Sequence, residues 1–163
     1  MNTFVTKLTR ADELLAKCEG WSLIVMVAAM TIVVLLQVIY RYVLAEPLHW
    51  SEELARYLFV WISMIGAALS VQKRGHFGMD FFFRMFPEKG RRFLSYFIIL
   101  CMGSVIIVML VQGIVLVQRT TAQMSPAMEI SMGYAYACLP VGAALMAVHL
   151  LTILIKESSG NTN

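Results

Sequence analysis

Pro47-Leu48-His49-Trp50-Ser51-Glu52-Glu53-Leu54-Ala55-Arg56, followed by the uncharged run Tyr57 to Gln72, is the stretch from which the fold class follows. The uncharged run gives about 24 Å of helix, short of the roughly 30 Å hydrocarbon thickness of a bilayer. The charged turn before it must therefore help complete a membrane span. Ser51 stands where an N-cap would, and Glu52 and Glu53 fall in the first turn, where the helix dipole favours negative charge. Arg56 lies four residues after Glu52 and three after Glu53, within reach of either. Charge at that depth is expensive in lipid and implies a partner.

The rest of the chain agrees. Of its 163 residues, 60% are hydrophobic and 14% charged, outside the range of soluble globular domains. Apolar runs at about 21–40, 54–71, 93–118 and 133–155 are each near the length of a spanning helix. The sequence thus predicts an all-α integral membrane protein. It divides into a cytoplasmic amphipathic segment (1–20), a four-helix membrane domain (21–155) and a cytoplasmic tail (156–163). The first run exceeds a signal-peptide core, and the mixed-charge residues before it lack a small-residue cleavage site, so it is expected to stay as an anchor. Lys7, Arg10, Lys17, Lys73, Arg74, Arg84, Lys89, Arg91, Arg92 and Lys156 fall on one side of the membrane, and Arg41, Arg56 and Arg119 on the other. The positive-inside rule then puts both termini and the middle loop in the cytoplasm. The basic middle loop is read as a topology signal, not as a nucleic-acid site.

Before the first span, Phe4, Leu8, Ala11, Leu15 and Cys18 recur at spacings of three and four. This predicts an amphipathic helix lying along the inner membrane surface or against a partner. In the middle loop, Gly75 to Asp80 reads as a turn, with Asp80 capping a short interfacial helix over Phe81 to Phe86, and His76 as a hydrogen-bonded loop residue. Phe82, Phe83, Arg84 and Phe86, with Lys89, Arg91 and Arg92, are the candidate lipid contacts, suited to anionic headgroups. Pro87 suits the first turn of the third helix. The third run gives about 39 Å of helix and should tilt or project beyond the bilayer. Gln112 within it is a candidate for a hydrogen bond to a neighbouring helix. Ser63, Gly66, Ala67 and Ser70 share one side of the second helix, while Gly133, Ala137, Pro140, Ala144 and Ala147 offer close-approach positions on the fourth. Pro140 should bend that helix. Cys18, Cys101 and Cys138 have no metal-ligand spacing and read as packing residues.

The chemistry that is missing narrows the function. No Asp, Glu, Lys or Arg falls at the middle of a span, where a carrier coupled to ions or protons places such groups. Two matching broken helices in repeated halves are also lacking, so solute transport by this chain alone is not expected. A small stand-alone four-helix transporter would need a mid-membrane carboxylate. A haem-bearing membrane anchor of a redox enzyme would need axial ligands, and His149 is the sole histidine within an apolar run. A partner chain could supply the second ligand, so that class stays open. No nucleophile, catalytic carboxylate pair or phosphate loop is present, so neither catalysis nor a cofactor or metal is expected.

Arg41-Tyr42, then Pro47-Leu48-His49-Trp50-Ser51-Glu52-Glu53-Leu54-Ala55-Arg56-Tyr57-Leu58-Phe59-Val60-Trp61 and Gly66-Ala67-Ala68, resembles the small permease subunit (Q, or DctQ-type) of tripartite ATP-independent periplasmic (TRAP) transporters. His76-Phe77-Gly78-Met79-Asp80 is similar to the family's middle-loop signature. Ser125-Pro126-Ala127-Met128-Glu129-Ile130-Ser131-Met132-Gly133-Tyr134, with Leu139-Pro140-Val141-Gly142, is similar to its approach to the fourth helix. The first 20 residues match no pattern of the family. The resemblance implies a bacterial inner-membrane transporter that takes up organic acids with a sodium gradient. Its large permease (M) subunit would hold the substrate and sodium sites and move like an elevator. A periplasmic substrate-binding (P) protein would deliver the substrate, and the small subunit would enlarge the static scaffold. On that frame Trp50, Ser51, Glu52, Glu53 and Arg56 are expected to form a cluster that locks the bundle internally or to the large subunit. A simple capped helix with a snorkelling arginine is the competing reading. Glu46, His49, Gln123 and Glu129 are candidates for docking the binding protein, or else belong to ordinary solvated loops. The cargo, C4-dicarboxylate, sialic acid or another carboxylate, is not legible from this chain.

Overall fold

The computed structural model describes residues 3–77 and 88–158. They form three long helices, α1 (Thr3–Tyr42), α2 (His49–Phe77) and α3 (Glu88–Thr120), a short α4 (Met132–Tyr136) and a final α5 (Cys138–Ser158). Among the described residues, four stretches are long and apolar enough to cross a membrane: Val5–Tyr42, His49–Lys73, Tyr96–Thr120 and Met132–Ile155. The last joins α4 to α5.

α2 packs on α1 and on α5, and α5 packs in turn on α3. Met64, Ala68 and Val71 of α2, Ile106 of α3, and Cys138, Met146 and Leu150 of α5 make the buried core. In lipid there is no hydrophobic drive to associate helices, so close backbone approach matters more than apolar burial. Two glycines provide it. A Cβ on Gly142 would stand 2.9 Å from Met64 Cβ, and one on Gly113 would stand 2.9 Å from Pro140 Cδ and 3.0 Å from its nitrogen. Trp21, Ile24, Val25, Ile32 and Leu35 of α1 and Leu100, Ile107, Val108 and Val111 of α3 are exposed, as a helix facing lipid or another membrane protein requires.

Several expectations are corrected. The N-terminal segment is not a separate interfacial helix: α1 runs through it and the first span as one helix of 40 residues, about 60 Å long. No proline interrupts it, and its Leu, Ala, Lys, Arg and Glu residues are good helix formers. Its packed side is also rotated from the apolar stripe, because Ala11 and Cys18 are exposed while Asp12 and Glu19 are buried. On α2, Ser63 and Ser70 face outward, their hydroxyls donating to the carbonyls of Phe59 and Gly66 at 2.8 and 2.9 Å. Gly66 meets open space. Gln112 is on an exposed face of α3, and Ala144 on an exposed face of α5. Cys138 is in the core, but Cys18 and Cys101 are exposed and pack against nothing that buries them. Pro140 does not bend a continuous helix. The helix is interrupted at Ala137, one turn before the proline, leaving Pro140 in the first turn of α5, where its missing N–H costs nothing. The expected cap Asp80, the loop residue His76's neighbours 78–80, Phe81 to Phe86, and Pro87 lie outside the described residues. So do the side chains of His76, Lys89, Arg91 and Arg92.

Candidate functional site

The helix α2 carries Glu53, Tyr57 and Trp61 four residues apart, so one edge of its first three turns presents a carboxylate, a hydroxyl and an indole N–H in a row. Opposite that edge runs the connection between α3 and α4. Its start is tied down by Gln123 N–H donating to the Thr120 carbonyl at 3.0 Å. Its two limbs pair through an isolated antiparallel bridge between Met124 and Ser131. The bridge bonds run from Ser125 N–H to Ile130 O and from Met132 N–H to Gln123 O, each 2.8 Å. Ser131 donates to the Thr121 carbonyl at 2.7 Å and accepts from Gly133 N–H at 3.2 Å, capping α4. The turn closes at Glu129, whose φ of 53° is left-handed.

The tip of this turn aims two successive backbone N–H groups at α2. Ala127 and Met128 donate to Oε2 of Glu53 at 2.9 and 3.1 Å. The Tyr57 hydroxyl donates to Oε1 of the same carboxylate. A carboxylate only accepts, so three converging donors suit its ionised form, and such bonds are stronger than neutral ones. Trp61 continues the row, its indole donating to the Tyr134 carbonyl at 3.3 Å. Glu53 therefore holds a loop 74 residues away in sequence, and it is almost fully buried in doing so.

The cluster expected over Trp50 to Arg56 is split by this geometry. Arg56 chooses Glu52, at 2.9 Å, and the pair is exposed, 67% and 72% on the two side chains, so it contributes about 0–1 kcal/mol. Ser51 is not an N-cap. The helix already starts at His49, and Ser51 is buried in the first turn with its hydroxyl donating back to the Leu48 carbonyl at 2.7 Å. Trp50 is exposed, as are Glu46 on the α1–α2 connection, His49 at the start of α2, and Gln123 and Glu129 on the α3–α4 connection. Because Glu53 joins these connections, all four candidate docking residues belong to one end of the bundle.

At the other end lies a polar group that sequence reading missed. Asp12 and Glu19 of α1 are buried against His149 of α5, with Nδ1 2.7 Å from Asp12 Oδ1 and Nε2 3.1 Å from both oxygens of Glu19. The signal available was two acids seven residues apart, hence on one helix face, and a lone histidine in the last apolar run. Both ring nitrogens are taken, which leaves no lone pair for a haem iron and removes the support His149 lent to a redox-anchor reading. The two carboxylates meet different ring nitrogens and do not converge on one point. Among the described residues no group of His, Cys, Asp and Glu could hold a metal ion.

A model of the family described as tripartite ATP-independent periplasmic transporters, DctQ component, matches residues 30–159. The chain belongs to the DctQ family. Among its relatives, the sialic acid TRAP transporter permease protein SiaT of Haemophilus influenzae is 34% identical over 130 residues, which cover 80% of this chain and 21% of that protein. The sialic acid TRAP transporter small permease protein SiaQ of Vibrio cholerae is 30% identical over 130 residues, 77% of this chain and 73% of the relative. The C4-dicarboxylate TRAP transporter small permease protein DctQ of Rhodobacter capsulatus is 33% identical over 109 residues, 64% of this chain and 47% of the relative. The chain thus spans about a fifth of the length of SiaT and about half that of the Rhodobacter protein. As a DctQ-type chain with four membrane-crossing stretches it is a multi-pass membrane component of a transporter and not an enzyme. The DctQ match includes Glu53 and His149 and begins after Asp12 and Glu19.

Proposed function

We propose that this chain is the small membrane subunit of a sodium-driven TRAP transporter in the bacterial inner membrane, taking up a carboxylated organic acid such as sialic acid or a C4-dicarboxylate. Its task is to widen the static scaffold against which the large permease (M) subunit moves its transport domain like an elevator. The observation that carries this is the match to SiaT, in which a sequence like the present one makes up 21% of a permease protein. The remaining four fifths of such a protein is the counterpart of the partner this chain needs. The placement of charge agrees: the buried ionisable groups, Glu53 at one end and Asp12, Glu19 and His149 at the other, all serve contacts within the chain. Among the described residues these buried groups are committed within the chain and are not offered to a carboxylate or sodium at mid-membrane.

The first of two further assignments rests on position. With the α3–α4 connection on the periplasmic side, the face carrying Glu46, His49, Gln123 and Glu129 helps dock the substrate-binding (P) protein. Glu53 supports that role by keeping the turn in one shape before the partner arrives, which lowers the ordering cost of binding. The second rests on sequence alone, its residues or their side chains lying outside those described: Phe82, Phe83, Arg84, Phe86, Lys89, Arg91 and Arg92 make a basic, aromatic stretch suited to the anionic headgroups of the inner leaflet. The deciding experiment is purification of the tagged chain from its native membrane in mild detergent, with mass spectrometry of stoichiometric partners. A large multi-span permease supports the scaffold role. A redox subunit with haem absorbance, or a pure homo-oligomer, overturns it.

A further inference from the structure

His149 reaches from α5 between two acids of α1 set two helical turns apart, and the three side chains shield one another almost completely: His149 is 0% exposed, and Asp12 and Glu19 are each 5% exposed. Ionised carboxylates only accept hydrogen bonds, and a neutral imidazole has a single N–H. Nδ1 faces Asp12 at 2.7 Å and Nε2 faces Glu19 at 3.1 Å, so both contacts are hydrogen bonds only when the group holds one proton more than a neutral ring and two carboxylates. That proton sits either on the ring, giving imidazolium between two carboxylates, or on one acid beside a neutral ring. Without it a bare nitrogen lone pair faces a carboxylate inside the fold, an unpaired buried charge of the kind that destabilises strongly.

We propose that Asp12, His149 and Glu19 form a proton-binding clasp that fastens the N-terminal part of α1 to α5 and releases it when the proton is lost. The ligand is the proton itself, since the opposed directions of the two ring nitrogens give a metal no common point. Around the clasp, Val5, Leu8, Thr9, Leu15 and Ala16 are half-buried, while Lys7, Arg10, Glu13, Leu14 and Lys17 are exposed. On the other packed elements at this end, Lys73 of α2 is exposed, and the side chains of Arg74 and His76 of α2, of Glu88, Lys89, Arg91 and Arg92 of α3 and of Lys156 and Glu157 of α5 are outside the described residues. Released, the segment has a ready alternative site. Its apolar stripe Leu8, Ala11, Leu15 and Cys18, of which Ala11 and Cys18 are left exposed in the clasped state, is the face that suits a membrane surface. The clasp thus sets a balance between a docked and a surface-lying N-terminal helix. While the released ring is itself protonated the two states bind equal numbers of protons; once the released ring is neutral the closed state binds one more, and rising pH then favours opening, at most tenfold per pH unit.

The test is hydrogen–deuterium exchange by mass spectrometry on the full chain in phosphatidylcholine–phosphatidylglycerol nanodiscs. Spectra are taken from about pH 5 to about pH 9, with labelling times scaled for the chemical exchange rate. In the unaltered chain, protection of residues 3–19 relative to the core of α2 is expected to fall with rising pH in the alkaline half of the range, approaching tenfold per unit. The double variant Asp12→Asn, Glu19→Gln can accept from one ring nitrogen and donate to the other with a neutral ring. It should stay protected, without that loss, in the alkaline half of the range. His149→Gln should expose the segment at every pH, and if that variant does not fold the double variant decides alone. Protection of the unaltered chain that is flat with pH, or a double variant that keeps the same alkaline loss, overturns the proposal. The readout concerns this chain alone, so it stands apart from the test of the transporter role.

Discussion

Gly113→Ala measures how the α3–α5 contact is built. The added Cβ would lie 2.9 Å from Pro140 Cδ, 3.0 Å from the Pro140 nitrogen and 3.2 Å from Leu139 Cβ. Carbon pairs are comfortable at about 3.5–4.0 Å, and none of these three atoms is the free end of a flexible chain. The helices must part by several tenths of an ångström, and overpacking of this kind costs about 1–3 kcal/mol. Alanine returns about 0.5–1 kcal/mol because glycine is a poor helix residue. The control is Gly103→Ala on the same helix, where nothing stands within 4 Å of the new atom and only the favourable term acts. The difference between the two variants therefore isolates the clash. At about 2–4 °C per kcal/mol for a chain of this size, Gly113→Ala should melt about 2–12 °C below Gly103→Ala. Cys138 reports the transition directly, being 1% exposed in the core. In a Cys18→Ser, Cys101→Ser background, the reaction of a thiol-sensitive dye with Cys138 on heating follows opening of the bundle. Equal melting of the two variants would refute the close crossing of α3 on α5.

The remaining predictions concern the two ends and the outer face. Glu53→Gln turns one accepting oxygen into a donor that faces either the Ala127 and Met128 amides or the Tyr57 hydroxyl. Exchange of the amides in 123–131 should rise, while Glu52→Gln leaves it unchanged; equal behaviour of the two would show that Glu53 does not hold the loop. Tyr57→Phe removes a single donor from Glu53 and should loosen the same loop less, as limited proteolysis after Gln123 would report. Gly66→Leu is tolerated by the isolated chain, since its Cβ meets open space. If α2 presents that side to the large subunit, the variant should be recovered well alone and poorly in complex; full recovery of the complex would clear that face. Reversing the exposed pair by Glu52→Arg with Arg56→Glu should change the melting temperature by no more than about 2–4 °C.

The four spans were legible because a run of apolar residues of membrane length has few other uses, but their helices were not. The spans begin and end where charge begins and ends, whereas α1 continues for nearly half of its length into charged sequence because hydrogen bonding along a helix is indifferent to the membrane edge. The role of Glu53 was half legible. Its place near the start of α2 could be read, though the helix begins at His49 and keeps Glu52 but not Glu53 in its first turn, while its partners are its i+4 neighbour Tyr57 and loop amides far away in sequence. An i+3 or i+4 rule ranks local partners and says nothing of distant ones. Asp12 and Glu19 were passed over because a search for apolar periodicity discards acids, although their seven-residue spacing carries the same geometric information as an apolar pair. The small residues misled for a different reason. Ser63, Gly66 and Ser70 share a side of α2, but a stripe of small residues does not say whether the helix that meets it is in this chain or another. The close approaches that matter here depend on single glycines, Gly113 and Gly142, each opposite one particular residue of another helix.

If the chain has the proposed scaffold role, the distribution of polar contacts bears on how it would stay still beside a moving partner. In lipid the apolar faces of this bundle gain little by meeting one another, so the helices need specific restraints. A charge pair at mid-membrane would restrain them strongly, but it would also attract water and ions. Here the mid-bundle restraint is steric, a glycine against a proline and a glycine against a methionine, and polar restraint is confined to the ends. The two end contacts share no residue and tie different elements, Glu53 joining α2 to the α3–α4 connection and His149 joining α5 to α1. Perturbations at separate sites with no common partner add. Loosening the turn through Glu53 should therefore leave the N-terminal part of α1 as protected as before, and opening the Asp12–His149–Glu19 group should leave the turn closed. Coupling between them would require the core of Met64, Ala68 and Met146 to shift, which the contacts of Gly142 with Met64 oppose. On the scaffold reading, the face that meets the binding protein then keeps its shape whatever happens at the opposite surface of the membrane.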